Sequence, residues 1–198
     1  MSGYFKPVAD GAGAVVSLDS AEISILRSLT AQLLELIGPG PGEDDPAADP
    51  LDALFAEGPS RPPADPVLAR LFPDAYGAPG RPAEEEDERR SSEFRRYTEL
   101  DLRARKREDG LAVIRDLDAL DAGEVGGAEL RLSPAESQRW LVTLNDLRLA
   151  IGTRLEISED DETDRLFDLP DDDPVKPIAL AYLWLGGLQE TLVETLLP

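Results

Sequence analysis

The chain of 198 residues contains no cysteine and no histidine. Without cysteine it has no disulfide, no thiolate zinc site, no thiol nucleophile and no thiol redox switch of its own. Without histidine it lacks the side chain that most often serves as general base and metal ligand. Bases are scarce: 20 Lys and Arg stand against 41 Asp and Glu, for a net charge of −21. A field of that sign repels phosphate, which argues against direct binding of nucleic acid or of an anionic membrane. Long apolar runs are also missing. The longest uncharged stretch, 177–189, is too short to span a bilayer. The opening MSGYFKPVADG has no apolar run behind a basic one, so no signal peptide is read and a cytoplasmic location is expected. There is no P-loop and no glycine-rich dinucleotide fingerprint, and no carboxylate sits in a recognisable apolar setting that would raise its pKa. The chain therefore reads as a non-enzyme without cofactor or metal.

What is present is enough for a core. Hydrophobic residues make up 41%, while 17 Pro and 16 Gly leave part of the chain irregular. The expected fold is mainly α. It is a helical bundle of about four principal helices with a small N-terminal β-hairpin, in a single domain over 1–198. A Pro/Gly/acid-rich, partly irregular insertion occupies 38–83.

The best-specified stretch is 133–157, SPAESQRWLVTLNDLRLAIGTRLEI. Ser133 suits the N-cap, Pro134 the first helical position, and Glu136 completes a capping box. Trp140, Leu144, Leu147 and Ile151 form one apolar stripe at helical spacing. Val142 and Leu149 lie on the far side, which predicts protein contact on two faces. Gly152 reads as the left-handed residue past the helix end, with 154–157 extended. Arg148 lies beside the stripe and needs a carboxylate or carbonyl partner. Asn145, Asp146 and Arg148 read first as interhelical hydrogen-bonding residues and second as a binding site.

The other elements follow in order. Residues 3–18 carry two β-prone runs around Asp10–Gly11–Ala12–Gly13, a hairpin signal. Asp19 and Glu22 form a second capping box, opening a helix to Ile37 that Gly38 stops. Short apolar segments at 51–55 and 67–72 each suit one or two helical turns docking on the body. A charged helix begins in the acids 84–88 and runs to about Leu120, or kinks near Gly110. Residues 129–132 suit a short strand. A last helix starts near Pro174 or Pro177 and ends at Leu197, its first half buried all round. Gly186–Gly187 there suits the close approach of another backbone.

Two charged runs need a reading. Residues 156–173 carry ten acids and one base, Arg165. Asp160, Glu162 and Asp164 are spaced like the first ligands of an EF-hand loop, but Arg165 stands where its glycine is required, so a solvated loop is expected. The charged helix carries eight bases in 19 residues: Arg89, Arg90, Arg95, Arg96, Arg103, Arg105, Lys106 and Arg107. They read as a salt-bridged face, using pairs such as Arg95 with Glu99, or as partners of acidic loops. A docking surface for an acidic protein, or for nucleic acid, is the alternative. Tyr97, Leu100, Ala104, Leu111 and Ile114 recur like a coiled-coil seam, a candidate homodimer interface.

The segments RWLVTLNDLRLAIGTRLEI (139–157) and AYLWLGGLQETLVETLL (181–197) resemble the two signature segments of an actinobacterial family. This is the AosR-like family of oxidative-stress transcriptional regulators, long catalogued as a domain of unknown function. The Arg-rich EFRRYTELDLRARK (93–106) and the hairpin-then-helix start are similar to it as well. Trp140, Asn145, Asp146, Arg148, Leu149, Gly152, Arg154 and Leu155 fit the first segment, and Leu185, Leu188 and Gln189 the second. The resemblance implies a cytosolic regulator of oxidative-stress and cysteine-biosynthesis genes. It also implies association with a stress sigma factor of RNA polymerase and a cysteine pair as redox sensor. This chain departs from that pattern at the sensor, because it has no cysteine. The expected function is a protein-binding transcriptional regulator without a thiol switch. A dimeric structural or adaptor protein is the alternative.

Overall fold

A computed structural model describes residues 3–8, 13–39, 57–77, 81, 84–120, 127–157 and 165–197. In chain order the elements are β1 (Lys6–Pro7), β2 (Ala14–Leu18), α1 (Ser20–Ile37), α2 (Pro66–Leu71), α3 (Glu85–Asp118), β3 (Ala128–Leu132), α4 (Pro134–Arg154) and α5 (Lys176–Leu196). The mainly α fold with four principal helices is what is found, in α1, α3, α4 and α5. The N-terminal hairpin is part of a larger unit. β3 pairs antiparallel with β2, from Ala14↔Leu132 to Leu18↔Ala128, giving a three-stranded sheet in the order β1-β2-β3. Ala14, Val16 and Leu18 alternate inward and meet Ala128, Leu130 and Leu132, all buried. Glu129 and Arg131 face solvent, as the two-residue strand period requires.

Both capping boxes form. Asp19 Oδ1 accepts from the Glu22 N–H at 2.8 Å and Glu22 Oε2 accepts from the Asp19 N–H at 2.9 Å. At α4, Ser133 accepts from the Glu136 N–H, and Glu136 accepts from the Ser133 N–H at 2.8 Å. Trp140, Leu144, Leu147 and Ile151 are buried as one stripe. Trp140 meets the ring of Phe5 edge-on at 6.2 Å and donates its indole N–H to Asp116 at 2.8 Å.

The end of α4 differs from the sequence expectation. Gly152 does not stop the helix, which continues to Arg154. The Ile157 N–H bonds the Gly152 carbonyl at 2.9 Å and the Glu156 N–H bonds the Thr153 carbonyl at 3.2 Å. That is a Schellman motif, and its left-handed residue is Glu156, with φ 55°. Residues 154–157 are therefore helix end and turn, not an extended segment. Gly152 serves packing instead. A side chain there would begin 3.2 Å from the Tyr182 ring of α5.

α1 ends at Gly38, whose φ is 85°. It packs on α3 where Gly110 offers no side chain. A Cβ at that position would stand 3.0 Å from Leu34 Cδ2. α3 runs unbroken through Gly110, so of the two sequence readings the continuous helix holds. On α5, Ala179, Trp184, Leu185, Leu188 and Leu192 are buried, and residues 178–189 are buried or half-buried throughout. Gly186 and Gly187 face side chains, not a second backbone. Their nearest neighbours are the guanidinium of Arg148 and the ring of Tyr4.

The apolar segment at 67–72 docks as expected. α2 lies against α4 with Val67, Leu71 and Phe72 buried. Its companion at 51–55, the hairpin turn at 9–12 and the EF-hand-like spacing at 160–164 fall outside the described residues.

Candidate partner-binding surfaces

α3 turns much of its charge inward. Arg95 is 4% exposed and Glu99 3%. Arg95 pairs with Glu99 one turn away, with Asp74 at 2.9 Å, and with the Phe72 carbonyl at 3.0 Å. Arg103 pairs with the same Glu99 at 2.9 Å, donates to the Ile37 carbonyl at 2.7 Å, and lies over the Phe72 ring at 4.3 Å. Arg107 donates to the Gly38 carbonyl at 2.7 Å. Lys106 reaches Asp146 of α4 at 2.6 Å. Burial pushes the Asp146 carboxyl above the ordinary aspartate range, and the Lys106 ammonium pulls it back part of the way. The acceptors come from several segments: the Phe72 carbonyl and Asp74, the carbonyls of Ile37 and Gly38 at the end of α1, and Asp146 of α4. Ser91 adds to this by accepting from the Tyr76 N–H at 3.1 Å and donating to the Tyr76 carbonyl. Four of the eight bases therefore serve the interior.

The outward face keeps the rest. Arg90 lies over the Tyr76 ring at 4.2 Å, and Tyr76 meets Phe94 edge-on at 6.2 Å. Phe94 is 48% exposed and Tyr97 65%. Arg96 flanks Tyr97 and pairs with Glu57, whose carboxyl it holds below the ordinary range through a hydrogen bond. Tyr76, Arg90, Glu93, Phe94, Tyr97 and Thr98 line a hollow of about 310 Å³. Arg105 is exposed further along, and Arg89 pairs with Glu86 at 3.1 Å. The coiled-coil-like seam lies on this outer side too. Leu111 is exposed and Leu100, Ala104 and Ile114 are half-buried.

The signature residues divide into two groups. Trp140, Asp146, Gly152 and Leu185 are buried in packing or in internal bonds. Asn145, Arg148 and Gln189 converge across α4 and α5. Arg148 Nη1 donates to Gln189 Oε1 at 2.6 Å, and Gln189 Nε2 donates to Asn145 Oδ1 at 3.3 Å. The Arg148 guanidinium also lies over Tyr182 at 5.2 Å. Arg148, Tyr182 and Gln189 line an open groove of about 600 Å³ together with Leu183, Gly186, Glu190, Val193 and Glu194. Arg154 stands apart, exposed at the end of α4 beside Gln32 and Ile178. Sequence reading missed Tyr76, Phe94 and Tyr182. Phe94 and Tyr97 are three apart beside Arg90, and that spacing was the available signal.

A family model described as a domain of unknown function, DUF2017, matches residues 1–196. The chain belongs to this family. Proteins named oxidative stress regulator AosR, from Mycobacterium bovis and from two strains of Mycobacterium tuberculosis, are 29% identical over 195 residues. The match covers 91% of this chain and 81% of each relative. No solved structure gives a significant match. The resemblance read from residues 139–157 and 181–197 therefore extends over nearly the whole chain. The relatives are named as regulators, not as enzymes. Among the described residues no helix is long and apolar enough to cross a membrane.

Proposed function

We propose that this protein is a non-enzymatic, cytoplasmic regulator of the oxidative-stress response that works by binding a protein. The partner we propose is a sigma factor of RNA polymerase, the association that the family resemblance implies. Regulation of cysteine-biosynthesis genes belongs to the same proposal. The relatives' designation supports the stress role. The observation that carries protein binding is the outward Arg90–Tyr76–Phe94–Tyr97 surface. Aromatic residues and arginine dominate interface hot spots, and here Arg90, Phe94 and Tyr97 stand exposed around the half-buried Tyr76. A net charge of −21 favours encounter with a basic, DNA-binding partner through electrostatic complementarity. With no cysteine, the chain has no thiol switch, so the oxidative signal reaches it through the partner or another input.

Purified full chain tests this against RNA polymerase core, and against polymerase carrying a stress sigma factor, at low and at physiological salt. Retention of the sigma factor or a polymerase subunit is expected. A Phe94→Ala, Tyr97→Ala variant should bind at least about tenfold more weakly. No retention at either salt concentration would sink the reading. The second reading is a homodimeric adaptor, favoured by the outward position of Tyr97, Leu100, Ala104, Leu111 and Ile114. Light scattering at high concentration decides it, and a monomer rules that interface out.

A further inference from the structure

The groove beside α4 and α5 carries uncompensated charge of both signs. Arg148 is held by the neutral amide oxygen of Gln189 at 2.6 Å. Among the described residues no carboxylate pairs with it, and its Nε is buried without a hydrogen-bond partner. The buried Arg95, by contrast, faces Glu99 and Asp74. A guanidinium carries five N–H donors in a fixed fork suited to a carboxylate. Gly186 lies against this guanidinium, where a Cβ would stand in van der Waals contact, 3.6 Å from Arg148 Nε. Along the same face of α5, Glu190 and Glu194 are exposed and in no ion pair among the described residues. Val193, 36% exposed, lies beside them.

We propose that this groove docks an extended segment of a protein partner. Its acidic side chain pairs with Arg148 and its basic side chain pairs with Glu190 or Glu194. Charge complementarity selects this occupant. A lone anion meets two carboxylates and the field of the whole chain, whereas a segment carrying both signs satisfies Arg148 and the glutamates together. The groove is open along its length, which suits a chain passing through it better than an enclosed small molecule. The geometry sets the spacing. At 1.5 Å per helical residue, Glu190 and Glu194 lie about 6 and 12 Å along α5 from Gly186. An extended segment advances about 3.3 Å per residue, so its two charges stand roughly two to four residues apart. This contact is separate from the aromatic surface of α3.

Random dodecapeptides displayed against the full chain provide the test. Enrichment of sequences with Asp or Glu roughly two to four residues from Lys or Arg is expected. Enriched peptides should bind a Glu190→Lys, Glu194→Lys variant at least about tenfold more weakly. Both positions are exposed, so that variant folds. Replacing the peptide's base by an acid should restore binding to it, which loss of structure would not do. Arg148→Gln should weaken the same peptides, while Phe94→Ala with Tyr97→Ala should leave them bound. The proposal is overturned if no opposite-charge pair is enriched. It is equally overturned if the charge-reversed variant binds the peptides as the native chain does, or if the swapped peptide fails to rescue.

Discussion

The guanidinium of Arg103 donates to the backbone carbonyl of Ile37 at 2.7 Å and so caps a helix other than its own. α1 has no base in its last turn, and its final carbonyls would otherwise be left to solvent. Arg103 and Arg107 supply the missing donors from α3, and Arg103 also pairs with buried Glu99. Arg103→Met should put an apolar thioether where the guanidinium covers Phe72 and remove every donor. The expected loss is about 2–3 kcal/mol, because hydrogen bonds to a buried charge are broken. Urea denaturation measures it, and an unchanged midpoint would refute the capping role.

Glu156 occupies a position that favours glycine. Its φ of 55° places a residue with a Cβ in the left-handed region at the end of α4. A non-glycine residue there costs about 1–2 kcal/mol, partly offset by the greater freedom of glycine in the unfolded chain. Glu156→Gly should therefore stabilise the protein by about 0.5–1 kcal/mol. Thermal unfolding followed by circular dichroism decides it, with Glu156→Ala as the variant expected to gain nothing.

Glu136 gives the capping box of α4 a pH dependence. Hydrogen bonds from the Ser133 backbone and side chain hold its carboxyl below the ordinary value of 4.5. A carboxyl lowered in the folded state contributes stability that is complete above its unfolded pKa. That contribution is lost as pH falls through the folded value. Native chain and Glu136→Gln should thus differ at neutral pH by several tenths of a kcal/mol and converge in acid. A gap that stays constant from pH 7 to pH 3 would contradict this.

Gly13 sits at the junction of β2 and β3 with φ 144°, and a Cβ there would run into the Leu132 carbonyl. Gly13→Ala combines backbone strain with a clash against main chain, which cannot swing aside. A loss of about 2 kcal/mol or more is expected, with faster amide hydrogen exchange along β3 than along α5. Uniform exchange in all elements would show that the strain is not local.

Much of the local structure was legible because its causes lie within four residues. Asp19–Glu22 and Ser133–Glu136 are capping boxes in which each residue satisfies its near neighbour. The stripe Trp140–Leu144–Leu147–Ile151 follows from helical period alone. The orientation of α3 was not legible by the same rule. Its apolar seam at 97–114 lies outward, and its inner face begins with Ser91, Arg95, Glu99 and Arg103. Period reading assigns apolar residues to the inside. Here the carbonyls of Phe72 and Ile37 and the carboxylate of Asp74 meet that face from elsewhere in the chain, and buried donors satisfy them. Gly152 misled for a related reason. A glycine near a helix end suggests a turn, but the ring of Tyr182, thirty residues on, needs the space.

The sequence by itself determined which segments are helical, where the two boxed helices begin, and which chemistries are missing. Those properties depend on residue type and short spacing. Tertiary structure decided the rest. It joined β2 to β3 across more than a hundred residues, divided the bases of α3 between interior and surface, and brought Asn145, Arg148 and Gln189 together. Each of these depends on which surface an element meets, and a carbonyl, a ring or a carboxylate arriving from elsewhere in the chain sets what a given side chain does.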